Sequence, residues 1–142
     1  MNGAAVGLTI LHVATGSFFV LTGARKLFLP SVRAKVRGLL SRYNVPRPAH
    51  WLVMGGEFAG GLGVLSGTLT QAAAAGLLVI MAGAYRMDTW PSVKAKQAPG
   101  AHWSQLCSNA LCNPEAQLIV CLLTLAFAGA GPLSIDALLG LG

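Results

Sequence analysis

One acidic residue lies inside an otherwise apolar stretch of the sequence. Glu57 stands about two helical turns, or roughly 10 Å, into a predicted membrane span. An ionised carboxylate at that depth is costly unless a cation pairs with it, so an intramembrane acid is a functional candidate by default. Two roles are open. Glu57 could form part of a polar pocket that binds a quinone headgroup or relays a proton, or an ion pair that only fixes helix register.

Three basic residues lie at the same predicted end of the bundle as Glu57. Long Lys and Arg side chains reach a buried carboxylate while their charged heads stay close to water. We therefore predict an intramembrane polar cluster made of Glu57, Arg25, Lys26 and Arg86. No residue is assigned a catalytic role, because the sequence contains no nucleophile–base pattern and no paired carboxylates.

Two cysteines form a second candidate site. The spacing of Cys107 and Cys112 is Cys-x4-Cys, which suits a small disulfide or thiol exchange. It is not the Cys-x2-Cys of zinc ribbons and thioredoxins, so no metal site is predicted. In a cytoplasmic loop the thiols should stay reduced, whereas the opposite membrane orientation favours a disulfide. His12, in the first apolar stretch, could ligate a metal, bind a quinone carbonyl, bond to a neighbouring helix or face lipid headgroups.

Four glycines are assigned to close packing between helices. Gly56, Gly60, Gly61 and Gly67 fall at or near small-x-x-x-small spacing, which allows helices in lipid to approach closely. A nucleotide-binding loop is excluded, because the glycines lie within an apolar span and no strand precedes them.

The composition indicates that these residues are held by membrane helices. Hydrophobic residues make up 54% of the 142 residues and charged residues only 10%, against roughly 25% charged in soluble domains. We predict a single all-α domain, residues 1–142, that forms a four-transmembrane-helix bundle. A span needs about twenty mostly apolar residues. The predicted spans cover about 4–28, 50–69, 71–86 and 114–130.

The distribution of charge predicts the membrane topology. Seven of the ten basic residues lie between Arg25 and Arg47, without an acid among them. Lys and Arg concentrate in cytoplasmic loops, so we expect the Arg25–Pro48 loop inside and both termini outside. Within it, 31–43 is predicted as an amphipathic interfacial helix between spans one and two. The Asp88–Asn113 segment contains prolines and is predicted to be irregular, and a short last helix, Ile135–Leu141, is expected with Ser134 as its cap.

Three stretches resemble the DoxX family of small bacterial membrane proteins. Gly23 to Phe28, followed by Pro30, is similar to the family's Gly-x-x-Lys-Leu ending of the first span. Gly56 to Ala73 looks like its Glu-x-x-Gly-Gly helix and short hairpin, and Gly129 to Leu138 is similar to its Gly-x-Gly-x-x-Ser-x-Asp tail. The resemblance implies a four-helix fold in the bacterial cytoplasmic (inner) membrane. Some relatives are linked to thiosulfate oxidation with quinone as acceptor, and others to protection against oxidative stress.

Three functions follow as expectations. The first is a partner-dependent or accessory component of a membrane redox system, linked to quinone or to thiols. The second is a purely structural accessory subunit that packs against a larger membrane complex, and the third is a small-molecule or lipid carrier. An enzyme complete in itself is not expected, since ionisable groups are so few. The expected partners are the lipid bilayer, other membrane subunits and further copies of the chain, but not nucleic acid.

Overall fold

A computed structural model describes residues 3–96, 102–132 and 134–140, and this part of the chain is helical without strands. The prediction of an all-α fold is therefore confirmed. In chain order the helices are α1 (Gly3–Phe28), α2 (Pro30–Arg42), α3 (Arg47–Ser66), α4 (Thr70–Ala84), a π-helical turn (Tyr85–Thr89), α5 (Trp90–Ala95), α6 (Trp103–Leu111), α7 (Pro114–Ala128) and α8 (Ile135–Leu138).

Helices α1, α3, α4 and α7 pack around one hydrophobic core. Helix α1 lies along α3, α4 packs against both α3 and α7, and α2 contacts α1 and α3. All four long helices contribute buried side chains to the core: Phe19, Val64, Ala74, Leu77, Met81, Leu122 and Leu125. Because each helix contributes an apolar face to this cluster, the described part of the chain forms one bundle.

Proline and glycine set the ends of α3. The helix begins at Arg47, about three residues before the predicted start, because Pro48 lies in its first turn, where a missing N–H leaves no bond unmade. It ends at Gly67, whose φ of 69° is a left-handed conformation that favours glycine. The backbone turns there and enters α4 after two further residues.

The prediction of an irregular Asp88–Asn113 segment is wrong for most of its length. Helix continues from α4 through the π-helical turn into α5, and α6 follows at Trp103; residues 97–101 lie outside the described residues. Pro91 does not break the run because it lies in the first turn of α5. Ser134 caps α8 as predicted, through a bond from the Ala137 N–H. The helix ends at Leu138 with Leu139 as its C-cap, so it is shorter than the predicted Ile135–Leu141; Leu141 itself lies outside the described residues.

Length and composition mark one described helix as able to cross a membrane on its own. This helix is α1, with 26 residues. Helices α6 and α7 qualify only when taken together as one span, with a bend of 64° between them. By the same criteria α4 and α7 are too short alone, at 15 residues each.

Candidate functional site

The carboxylate of Glu57 is buried against α1 and has partners for both oxygens. The residue is 2% exposed. Its Oε2 lies 2.5 Å from Nζ of Lys26, in an ion pair, and its Oε1 accepts a hydrogen bond of 2.9 Å from the Thr22 hydroxyl. The Lys26 side chain remains 29% exposed, so that its head lies between the carboxylate and the surface. The site is therefore a charge pair joining two helices.

Helix periodicity explains why Lys26, and not Arg25, pairs with Glu57. His12, Thr15 and Phe19 are buried on one face of α1, and steps of three and four residues continue that face to Thr22 and Lys26. Arg25 is displaced by one residue, or about 100° around the helix, and its side chain is exposed.

Arg86 also lies apart from Glu57. It is exposed in the π-helical turn after α4. Among the described residues, the salt bridge of Glu57 is with Lys26 alone. The structure thus brings two members of the predicted cluster together and leaves Arg25 and Arg86 outside it.

Glycines let α1 and α3 approach closely beside the Glu57–Lys26 pair. A Cβ on Gly61 would collide with the backbone of Phe19 and Val20, and one on Gly23 with the backbone of Phe58. Gly56 and Gly60 face Ile80 and Leu77 of α4 instead. Gly67 lies beyond the end of α3, where its Cα faces Ser134.

Sequence reasoning missed the glycines that α1 contributes. A Cβ on Gly16 would collide with the backbone of Leu65, as one on Gly23 would with Phe58. The seven-residue interval between Gly16 and Gly23, about two helical turns, was the signal that could have identified them. It places both on the face that carries Phe19.

A second junction lies at the far end of the bundle, where the tail after α7 meets the α3–α4 turn. The carboxylate of Asp136 accepts hydrogen bonds from the N–H of Leu69 at 2.7 Å and of Thr70 at 2.9 Å, at the start of α4. The N–H of Asp136 in turn donates to the Gly67 carbonyl at 2.8 Å. Burial raises the pKa of Asp136, but the hydrogen bonds from Leu69 and Thr70 together outweigh it and hold the pKa below its ordinary value.

The same tail is tied to α1 by His12. The side chain is buried, and its Nδ1 lies 2.9 Å from the Ala130 carbonyl. Since a carbonyl only accepts, Nδ1 carries the proton that is shared. His12 therefore bonds to the segment that follows α7, and not to a helix. A cavity of about 540 Å³ lies beside this junction, between Leu69–Ala72 and Ala128–Ala137.

The two loop cysteines lie on α6 and are not bridged. Cys107 is within the helix and Cys112 is its C-terminal cap, and both are exposed. Residues five apart in a helix have Cα atoms about 8–9 Å apart, beyond the limit of about 7 Å for a disulfide. The last turn of α6 would have to unwind before a bridge could form.

Helix α2, which contacts α1 and α3, places two guanidinium groups over the ring of one tryptophan. The Arg37 guanidinium carbon lies 4.7 Å from the Trp51 ring centroid, and that of Arg33 lies 5.5 Å from it. The neighbouring His50 is buried, and its Nε2 bonds to the Val45 carbonyl at 2.9 Å. In the described part of the chain, no three potential metal-ligating side chains come together.

Comparison with known proteins identifies a family. The family model for DoxX matches residues 7–90, which include most of α1, all of α2, α3 and α4, and the Glu57–Lys26 pair. No curated protein and no solved structure matches the chain. The match covers more than half of the sequence and agrees with the motifs at Gly23–Phe28 and Gly56–Ala73, and the chain therefore belongs to the DoxX family, whose members are membrane proteins.

Proposed function

We propose that this chain is a four-span protein of the bacterial cytoplasmic membrane that acts as a non-catalytic accessory subunit of a larger membrane complex. The observation that carries this proposal is that the buried ionisable residues in the described part of the chain have partners within it, while many large apolar side chains are exposed. Glu57 has Lys26 and Thr22, and His12 and His50 have backbone carbonyls. Such a bundle presents an apolar surface against which neighbouring subunits can pack, and its buried charges fix the register of its own helices.

Four spans are supported by the outer surface of the bundle. Each long helix exposes large apolar side chains, among them Leu21 at 66%, Leu52 at 75%, Val79 at 75% and Phe127 at 85%. Apolar surface spread over all helices suits lipid tails better than water. Helix α3 has 20 residues, about 30 Å of helix, and α4 continues through the π-helical turn into α5. Helix α7 has only 15 residues and crosses together with α6, from which it is bent by 64°.

Charge supports the proposed sidedness, and the core shared by the four long helices supports a single domain of residues 1–142. Arg25 to Arg47 carries seven bases and no acid, and α2 with its flanks therefore lies inside, with both termini and the α3–α4 turn outside. The test compares Ser41→Cys on α2 with Ser66→Cys at the end of α3, in a background without native cysteines. An impermeant thiol reagent added to intact cells should label position 66 and spare position 41. Labelling of position 41 alone would reverse the orientation.

The accessory role is tested with the parent chain and a Glu57→Gln variant. Gln keeps the shape of Glu57 and an acceptor for Thr22 while removing the charge. Native mass spectrometry from mild detergent should find the parent in a stoichiometric complex with another membrane subunit, and the variant should retain it. A parent that carries bound quinone, lost together with activity in the variant, would contradict the accessory role and favour the pocket.

A redox-linked component is the second candidate, and the exposed thiols of Cys107 and Cys112 favour it. In that function a partner would unwind the end of α6 and exchange thiols there. Protein prepared anaerobically without reductant should hold free thiols by mass spectrometry under the accessory role, since the cytoplasm keeps thiols reduced. A bridge between the two cysteines in such material would favour thiol exchange.

The carrier function is the least favoured, because the core cluster fills the space between the four helices.

A further inference from the structure

Two like charges converge on the exposed tryptophan at the start of α3. Arg33 and Arg37 are four residues apart on α2, so their side chains are neighbours on one face of the helix. Both guanidinium groups lie over the Trp51 ring, at 5.5 Å and 4.7 Å. Cations at this spacing repel each other, and the quadrupole of the ring offsets only part of that repulsion.

No carboxylate in the described part of the chain neutralises these two arginines. The sequence has four acids, and Glu57 is committed to Lys26. The other three are Asp88, Glu115 and Asp136, which are not paired with either arginine. Moreover, the Nε–H of Arg33 is buried and has no acceptor among the described residues. The pair thus combines excess positive charge with unmet hydrogen-bond donors.

We propose that Arg33, Arg37 and Trp51 form a binding site for the phosphodiester headgroup of an anionic membrane lipid. Guanidinium groups bind phosphate oxygens in a bidentate manner, with charge-assisted hydrogen bonds. One phosphate between the two heads would remove their mutual repulsion. Trp51 is 48% exposed, and a tryptophan is typical of the headgroup level, with its ring toward the acyl chains.

A lipid suits this place better than free phosphate because the site adjoins apolar surface. Leu52, next to Trp51, is exposed on the outer face of α3, where the acyl chains of a bound lipid would lie. The exposed bases Lys35 and Arg42 of the same helix contribute general attraction to an anionic surface. The inference rests on the proposed position of α2 at the membrane surface, which the labelling of Ser41 tests independently.

The experiment compares an Arg33→Gln/Arg37→Gln double variant with a Lys35→Gln/Arg42→Gln double variant. Both remove two positive charges from α2, but only the first touches Trp51. Each protein in mild detergent is titrated with phosphatidylglycerol, with phosphatidylcholine and with inorganic phosphate, and bound lipid is counted by native mass spectrometry. The parent should bind phosphatidylglycerol at least about tenfold more tightly than phosphatidylcholine.

The two double variants should then differ in their preference for phosphatidylglycerol. The Arg33/Arg37 variant should lose most of that preference and the Lys35/Arg42 variant should keep most of it. Equal losses would mean diffuse attraction and overturn the site, as would a parent without lipid preference or one that binds only inorganic phosphate. If the Arg33/Arg37 variant does not fold, the single Arg37→Gln variant takes its place, and unchanged phosphatidylglycerol affinity there overturns the proposal. A position 41 that is spared by the impermeant reagent, combined with no lipid preference, would reject the lipid site and leave the proposed topology standing.

Discussion

Glu57 and Asp136 both join separate parts of the chain, but by different physical means. Glu57 lies within an apolar span and pairs with a full opposite charge, that of Lys26. Asp136 lies beyond the last long helix and accepts from two backbone N–H groups at the start of α4. Free N–H groups at a helix start carry partial positive charge. The comparison teaches that a carboxylate surrounded by hydrocarbon needs a cation, whereas one at a helix end can be held by the backbone.

Removing the carboxylate from the Glu57–Lys26 pair should have the largest effect. Glu57→Leu leaves the Lys26 ammonium without its partner, and we expect the free energy of unfolding in detergent to fall by about 2–4 kcal/mol. Adding Lys26→Met should recover most of the loss, because an apolar pair of similar volume has no charge to desolvate. A double-mutant cycle measured by denaturant titration gives the coupling. Additive losses in the cycle would show that the two residues do not act as a pair.

Preventing the close approach of α1 and α3 should have the next largest effect on stability. A Cβ at Gly23 would meet the Phe58 backbone, whereas one at Gly76, on the outer side of α4, would meet nothing within 4 Å. Gly23→Ala should therefore push the helices apart and lower the free energy of unfolding by about 1–3 kcal/mol. Gly76→Ala is the matched control and should be neutral or stabilising by up to about 1 kcal/mol, since alanine favours helix. Equal effects in the two variants would mean that α1 and α3 are not held in contact at Gly23.

Local patterns in the sequence predicted the helices well and their junctions less well. Apolar length located the main helices, and the predicted fourth span, 114–130, begins at the first residue of α7. The Asn113 side chain, however, donates to the Asn109 carbonyl of α6 instead of capping α7. This happens because α6 precedes α7 directly, and the irregular segment predicted there concealed α6.

The sequence identified Glu57 as the central residue of the candidate site, but it did not determine which groups Glu57 contacts. An acid in an apolar stretch identified Glu57, and burial inside the bundle gives it only 2% exposure. The choice between Arg25 and Lys26 depends on which face of α1 meets α3, and that is decided by packing. The bond between Asp136 and the turn near Leu69 joins residues 67 positions apart, a separation at which local sequence signals carry no information.

The smallest effect on stability is expected at Asp136, whose carboxylate is held by backbone N–H groups and not by a cation. Asp136→Asn keeps one oxygen acceptor and loses the other, and should lower the free energy of unfolding near pH 7 by about 1 kcal/mol, as loss of a helix cap does. Asp88→Asn is the matched control, because the Asp88 side chain is exposed and has no hydrogen-bond partner among the described residues. It should change the stability by less than about 0.5 kcal/mol.

The same residue should make stability depend on pH in one direction. The pKa of Asp136 in the folded chain lies below its ordinary value, which is about 3.9 in an unfolded chain. Its carboxylate therefore stabilises the fold fully above about pH 4, and this contribution disappears as the pH falls through the folded-state pKa. The difference in unfolding free energy between the parent and Asp136→Asn should be constant from pH 7 to pH 5 and shrink towards pH 3, while other titrating groups cancel between the two proteins. A difference that grows on acidification would mean that the folded chain favours the protonated carboxyl, and that the N–H groups of Leu69 and Thr70 do not hold the anion.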